Sequence, residues 1–112
     1  MNGEGARIQI RYCTECRWML RAAWMAQELL TTFPEEIGEV ALIPGTGGIF
    51  EITAGGEHVW SRSQDGGFPE ITELKRRVRD IIAPAKSLGH SDRHKENPGG
   101  SRAPGDSPPD QE

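Results

Sequence analysis

The sequence predicts one small α/β domain, an α+β sandwich in the order β-α-β-β-β-α, with its four strands in a single mixed sheet of order 2-1-3-4. Three observations predict it. Residues 7–12 alternate polar and apolar side chains with period two and run straight into a long stretch of helix formers. Residues 49–53 and 57–61 form two strand-like runs divided by glycines, and a one-sided apolar pattern follows Pro69.

In the first strand Ile8, Ile10 and Tyr12 share one face, so one side is buried and the other is left to Arg7, Gln9 and Arg11. Residues 14–32 contain neither Gly nor Pro and read as a helix that Pro34 stops. This helix is apolar almost all round, interrupted mainly by Arg17, Arg21, Gln27 and Glu28. One sheet face cannot cover that circumference. Part of it, around Trp18 or Trp24, is expected to meet a protein partner, a second copy of the chain or the edge of a substrate site.

Residues 39–43 are a short, mostly apolar run between Gly38 and Pro44, which suits an interior parallel strand reached by a helical crossover. Ala54-Gly55-Gly56 separates the next two strands, and its glycines accept the positive φ of a hairpin turn. Residues 63–68 read as a loop. Pro69 then suits the first turn of a helix in which Ile71, Leu74, Val78, Ile81 and Ile82 share one face until Pro84. A βαβ unit followed by a hairpin and a closing helix packs most simply as the sheet given above, which is the minimal thioredoxin-like arrangement.

The chain has 112 residues, 35% of them apolar, with 13 Lys+Arg against 17 Asp+Glu and a net charge of −4. Mild acidity argues against nucleic acid or an anionic membrane as a partner, and no run is long and apolar enough to span a bilayer. Only Leu88 and Ala103 among the apolar residues follow Lys86. Residues 1–86 are therefore expected to form the thioredoxin-like domain, and 87–112, rich in Pro, Gly and Ser, a disordered tail. Residues 1–5 lack the features of a secretory signal, which makes a cytoplasmic address the default.

Cys13 and Cys16 fall where the first strand hands over to the first helix, the end of the sheet at which open α/β folds place their sites. Exposed N–H groups at a helix start favour a thiolate, and the three-residue step lets one sulfur reach the other. A thiolate of the pair can attack a substrate disulfide, and the second cysteine can then displace the reduced product, leaving a Cys13–Cys16 disulfide. This chemistry needs no metal or organic cofactor. The alternatives are two inert, buried thiols, or a metal site completed by His90 and His94. Those histidines lie in the expected tail, far beyond the interval of a compact zinc finger.

Other polar residues read as structural. His58 fits a half-exposed strand position better than a general base, and Lys75, Arg76, Arg77 and Arg79 fit a solvated helix face shared with Glu70, Glu73 and Asp80. The loop 44–48 lacks the Lys-Ser or Lys-Thr of a phosphate loop. Beyond serving as a turn, it precedes the third strand, where the topology brings backbone next to the cysteines. Gly47 and Gly48 would there let a peptide or glutathione backbone approach as substrate.

Tyr12-Cys13-Thr14-Glu15-Cys16, the helix 20–30, Gly47-Gly48-Ile49-Phe50-Glu51-Ile52 and Asp65-Gly66-Gly67-Phe68-Pro69 together resemble the Rdx family, the bacterial relatives of selenoproteins W, T and H. The likeness runs from about Arg7 to Pro84. It implies a thioredoxin-like fold and thiol-dependent redox chemistry, with glutathione as a suggested partner. In the selenocysteine members of that family, selenium takes the position matching Cys16.

The leading expectation is thus a thiol–disulfide oxidoreductase acting through Cys13 and Cys16 on glutathione or protein thiols. The alternative is a redox-gated interaction module that binds a partner, or a second copy, through the first helix without appreciable turnover. Access at the strand exit favours Cys13 as the attacking thiolate, with Cys16 one turn into the helix near Trp18 and Leu20. The resemblance favours Cys16.

Overall fold

The computed structural model of the chain describes residues 5–89. Its elements run β1 (Ala6–Cys13), α1 (Met19–Thr32), β2 (Ile37–Gly45), β3 (Phe50–Ala54), β4 (Glu57–Ser61), α2 (Arg62–Asp65) and α3 (Ile71–Ile82). The four strands form one sheet in the order β2-β1-β3-β4. β1 pairs with β2 in parallel and with β3 antiparallel, and β3 pairs antiparallel with β4. This is the expected mixed sheet.

The period-two pattern of β1 does what it predicted. Ile8 and Ile10 are fully buried, as are Ile52 and Ala54 beside them on β3, while Arg7, Arg11 and Glu51 are exposed on the other face. Both long helices cover the buried face. α1 packs Ala22, Met25, Ala26 and Leu29 onto it, a spacing of one helical stripe, and α3 adds Ile71, Leu74 and Val78. Lys75 of α3 reaches Glu28 of α1 at 2.9 Å and ties the two helices together. The fold is a two-layer sandwich with one apolar layer between helices and sheet.

The β3–β4 connection uses Gly55 and Gly56 with φ of +59° and +85°, the pair of positive values that a tight two-residue hairpin needs. Between Ile52 and Thr53 the ladder slips by a residue, opposing Ile52 to Trp60 and Thr53 to His58, so that Val59 and Trp60 are both buried.

Four local expectations are corrected. The first helix begins at Met19 rather than at Thr14, because Thr14–Arg17 form a separate turn: Arg17 N–H donates to the Thr14 carbonyl, Trp18 N–H to that of Cys13, and Arg17 adopts φ +63°. Residues 63–68 are not all loop, since α2 takes up Arg62–Asp65 and ends on the left-handed Gly66. The basic residues of α3 are less solvated than a free face would be: Lys75, Arg76 and Arg79 keep side-chain exposures of 17%, 17% and 14% under their ion pairs. Finally, Leu88 packs against the core, so the packed region extends past Lys86. His90, His94 and the rest of the expected tail from residue 90 lie outside the described residues.

Candidate functional site

The two cysteines meet at the end of the sheet where β1 exits. Their sulfurs are 2.7 Å apart with both thiols free, longer than the about 2.05 Å of a disulfide but near enough for small rotations to close the bond. Four hydrogen bonds hold the turn that carries them. The Arg17 and Trp18 amides close it from within, and Thr14 donates its N–H (3.0 Å) and its hydroxyl (3.3 Å) to the carbonyl of Gly45, fastening the cysteine turn to the end of β2.

The environments of the two sulfurs differ. Cys13 is completely buried and Cys16 is exposed. This overturns the accessibility argument for Cys13: helix α1 starts after Cys16, so Cys16 rides on an open turn, while that turn and the Gly47–Gly48 turn close over Cys13. The Cys13 thiol is pulled below the ordinary thiol range, first by the Cys16 S–H that donates to it and then, against the effect of burial, by backbone N–H groups of Gly48, Cys16 and Glu15. The same contact pushes Cys16 up, because its proton is held by the Cys13 sulfur. Desolvation and the charges of Cys13 and Glu15 add to that rise, and Arg62 opposes it. The Cys16 S–H first, and then backbone donors from two turns, therefore favour the Cys13 thiolate.

Gly47 and Gly48 both take left-handed φ, +73° and +76°, with open space where a side chain would stand. That conformation turns the Gly48 N–H toward Cys13. Beside this turn lies a cavity of about 220 Å³, lined by Gly47, Gly48, Phe50, Glu51, Ser61 and Ser63.

An aromatic ledge completes the site. Trp18, two residues beyond Cys16, meets Phe68 edge-on at 4.9 Å between ring centroids and Phe50 at 6.3 Å, and Phe50 meets Phe68 at 5.0 Å. This packing accounts for the apolar surface expected around Trp18. Arg62 lies 5.0 Å over Trp18 and Arg21 4.2 Å over Phe68. Neither Arg62, Arg21 nor Phe68 stood out in the sequence as a site residue. Only the Asp65–Pro69 motif pointed to their neighbourhood.

A second network holds the 61–68 segment in place. Asp65 accepts the Ser61 N–H at 2.8 Å, meets His58 Nε2 at 3.3 Å and faces Arg77 at 3.5 Å. Trp60 Nε1 donates to the Gly67 carbonyl at 2.8 Å, and Arg77 lies 4.5 Å over the Trp60 ring. His58 is an exposed strand residue that serves this network and does not approach the cysteines.

Fold and site together define a small thioredoxin-like domain with a vicinal thiol pair at the strand-to-helix exit. The chain belongs to the Rdx family, whose model matches residues 7–80. It is similar to a selenoprotein W-related protein from Vibrio cholerae, with 60% identity and a TM-score of 0.69 over 70% of this chain and 98% of that one. It is also similar to a structure from Bordetella parapertussis, with 63% identity and a TM-score of 0.67 over 68% of this chain and 96% of that one. Migration and invasion enhancer 1 of Bos taurus is 32% identical over 77 residues, which span 69% of this chain and 65% of that protein. The family and its relatives indicate a redox function. Among the described residues no helix is long and apolar enough to cross a membrane.

Proposed function

We propose that the protein carries out thiol–disulfide exchange, passing two electrons between its Cys13–Cys16 pair and glutathione or protein disulfides in the cytoplasm. The observation that carries this reading is the pair itself: two free sulfurs 2.7 Å apart, one buried under backbone donors and one open to an incoming disulfide. The contact between the sulfurs favours the thiolate on Cys13, and in the minor fraction of pairs where the Cys16 proton has passed to Cys13 the thiolate stands on the accessible sulfur. That thiolate attacks one sulfur of the substrate disulfide, breaks the S–S bond and expels the first substrate thiolate. Cys13 then gives up its proton to the released substrate thiolate or to solvent, and its own thiolate attacks the Cys16 sulfur of the mixed disulfide. The second substrate thiol leaves, and an internal disulfide remains. A thiol reductant such as glutathione restores the pair by the reverse steps. Gly47 and Gly48 bind the substrate backbone beside Cys13, at a turn that carries no side chain.

Mass spectrometry of the oxidised protein after alkylation is expected to show an internal disulfide and a loss of two hydrogens. Two freely alkylated cysteines after strong oxidant would overturn the reading.

A second reading rests on a separate observation. Met19 and Leu20, at the start of α1 next to the thiol pair, are 45% and 60% exposed, as on a surface meant for a partner or a second copy. Oxidation of the pair would then gate a contact. Catalytic turnover of a model disulfide supports exchange; a change in partner affinity or oligomeric state without turnover supports gating.

A further inference from the structure

The chain is acidic overall, yet the surroundings of Cys16 are not. The cysteine turn and its aromatic ledge carry Arg17, Arg21 and Arg62 against Glu15 alone. Glu51 belongs to the opposite face of β3 from Phe50 and lines the cavity beside Gly48. Half of the eight arginines among the described residues pair with carboxylates, as Arg7 does with Glu39, Arg77 with Glu73 and Arg79 with Asp80. Arg62 and Arg21 make no ion pair among the described residues. Instead their guanidinium groups lie on the ledge, Arg62 5.0 Å from Trp18 and 5.7 Å from Phe68, Arg21 4.2 Å from Phe68. Arg21 Nε is shielded from solvent and has no acceptor.

A guanidinium stacked on a ring keeps its edge N–H donors in a fixed plane, the geometry that grips a carboxylate with two parallel hydrogen bonds. Two such groups without carboxylate partners, Arg62 within electrostatic reach of the accessible sulfur and Arg21 on the same ledge, form half of an ion-pairing site. We infer that Arg62, supported by Arg21, determines the specificity of thiol exchange by binding a carboxylate of the substrate, so that the preferred disulfide carries carboxylates within a few bonds of its sulfurs. This rests on the exchange reading given above. Arg62 has a second effect: its charge reaches the Cys16 sulfur and favours the thiolate there. Glu15 opposes both effects, and at the Cys16 sulfur its charge outweighs that of Arg62.

The test uses the full chain, reduced beforehand, in single-turnover reactions that follow thiol release from three small disulfides: dithiodipropionate (anionic), hydroxyethyl disulfide (neutral) and cystamine (cationic). Intrinsic differences among these compounds, and any effect of a substitution on the thiols themselves, cancel in one ratio: the anionic-to-neutral rate in the native protein divided by the same quantity in Arg62→Gln. The expected value is about fivefold, the effect of one exposed ion pair, falling toward unity at high salt. Arg62→Lys should recover part of it, and Arg21→Gln should show a smaller loss of the same kind. Cystamine should show the opposite trend. Oxidised glutathione compared with an Asp-flanked peptide disulfide then tells a small thiol source from a protein one. A ratio of one, with all three compounds reacting, overturns the inference and leaves thiol exchange standing; no thiol release from any of them overturns both.

Discussion

The Asp65 carboxylate accepts the Ser61 backbone N–H at 2.8 Å and so closes the turn that carries Arg62 and leads to Phe68, one wall of the thiol site. The Ser61 hydrogen bond holds the Asp65 carboxyl below its ordinary range; burial opposes this, and His58 and Arg77 add to it. A carboxylate whose pKa is lower in the folded than in the unfolded chain stabilises the fold fully above the unfolded value, about 3.9, and loses that contribution as pH falls through the folded value. Asp65→Asn should therefore lower the melting temperature at neutral pH, and the gap from the native protein should shrink steadily as pH drops below about 4. Thermal melts followed by circular dichroism at a series of pH values measure it. A gap independent of pH would mean that Asp65 acts through packing.

Substituting the cysteines one at a time separates attack from resolution. Cys13→Ser leaves the exposed sulfur in place and removes the resolving one, so mixed disulfides with glutathione or protein thiols should accumulate on Cys16. Cys16→Ser leaves only a buried sulfur and should trap little. Removing Cys16 also removes the first cause that lowers the Cys13 thiol, so alkylation of Cys13 should shift to higher pH in that variant. Trapping mainly in Cys16→Ser would restore Cys13 as the attacker.

Gly48→Ala places an L side chain at φ +76°. Nothing lies within reach of the added methyl, so the penalty is one of backbone conformation, about 1–2 kcal/mol. Relaxation of that strain withdraws the Gly48 N–H from Cys13, and the thiol should titrate higher. Urea denaturation together with the pH profile of iodoacetamide reactivity would show both effects. A loss of stability with an unchanged thiol profile would contradict the role of this amide.

Phe50 is almost completely buried and supports both Trp18 and Phe68 from below. Phe50→Ala should cost about 3–5 kcal/mol in denaturant titrations and loosen the ledge over which Arg62 and Arg21 lie. Tryptophan fluorescence in the folded variant should report the change at Trp18. A cost below about 1 kcal/mol would mean that the ledge refills the space.

By itself the sequence determined the architecture. Alternation in residues 7–12, the break at Pro34, the two glycines between β3 and β4 and the apolar stripe of α3 are local signals, each written by steric or burial rules that act within a few residues. Together with the short connections they left one simple sheet order, and the Cys-x-x-Cys spacing placed the thiol pair at its end. The relation between those sulfurs was decided only in the tertiary structure. The turn that delays α1 until Met19 has its left-handed residue at Arg17, where no Gly or Asn marks it, so the sequence read continuous helix and assigned exposure to the wrong cysteine. Burial of Cys13 depends on the loop after β2 folding over the end of β1, and the Arg62–Trp18–Phe68 ledge joins residues more than forty positions apart in the chain. Contacts of that kind leave no periodic trace in the sequence, because they follow from how the sheet, the helices and the connecting turns close on one another.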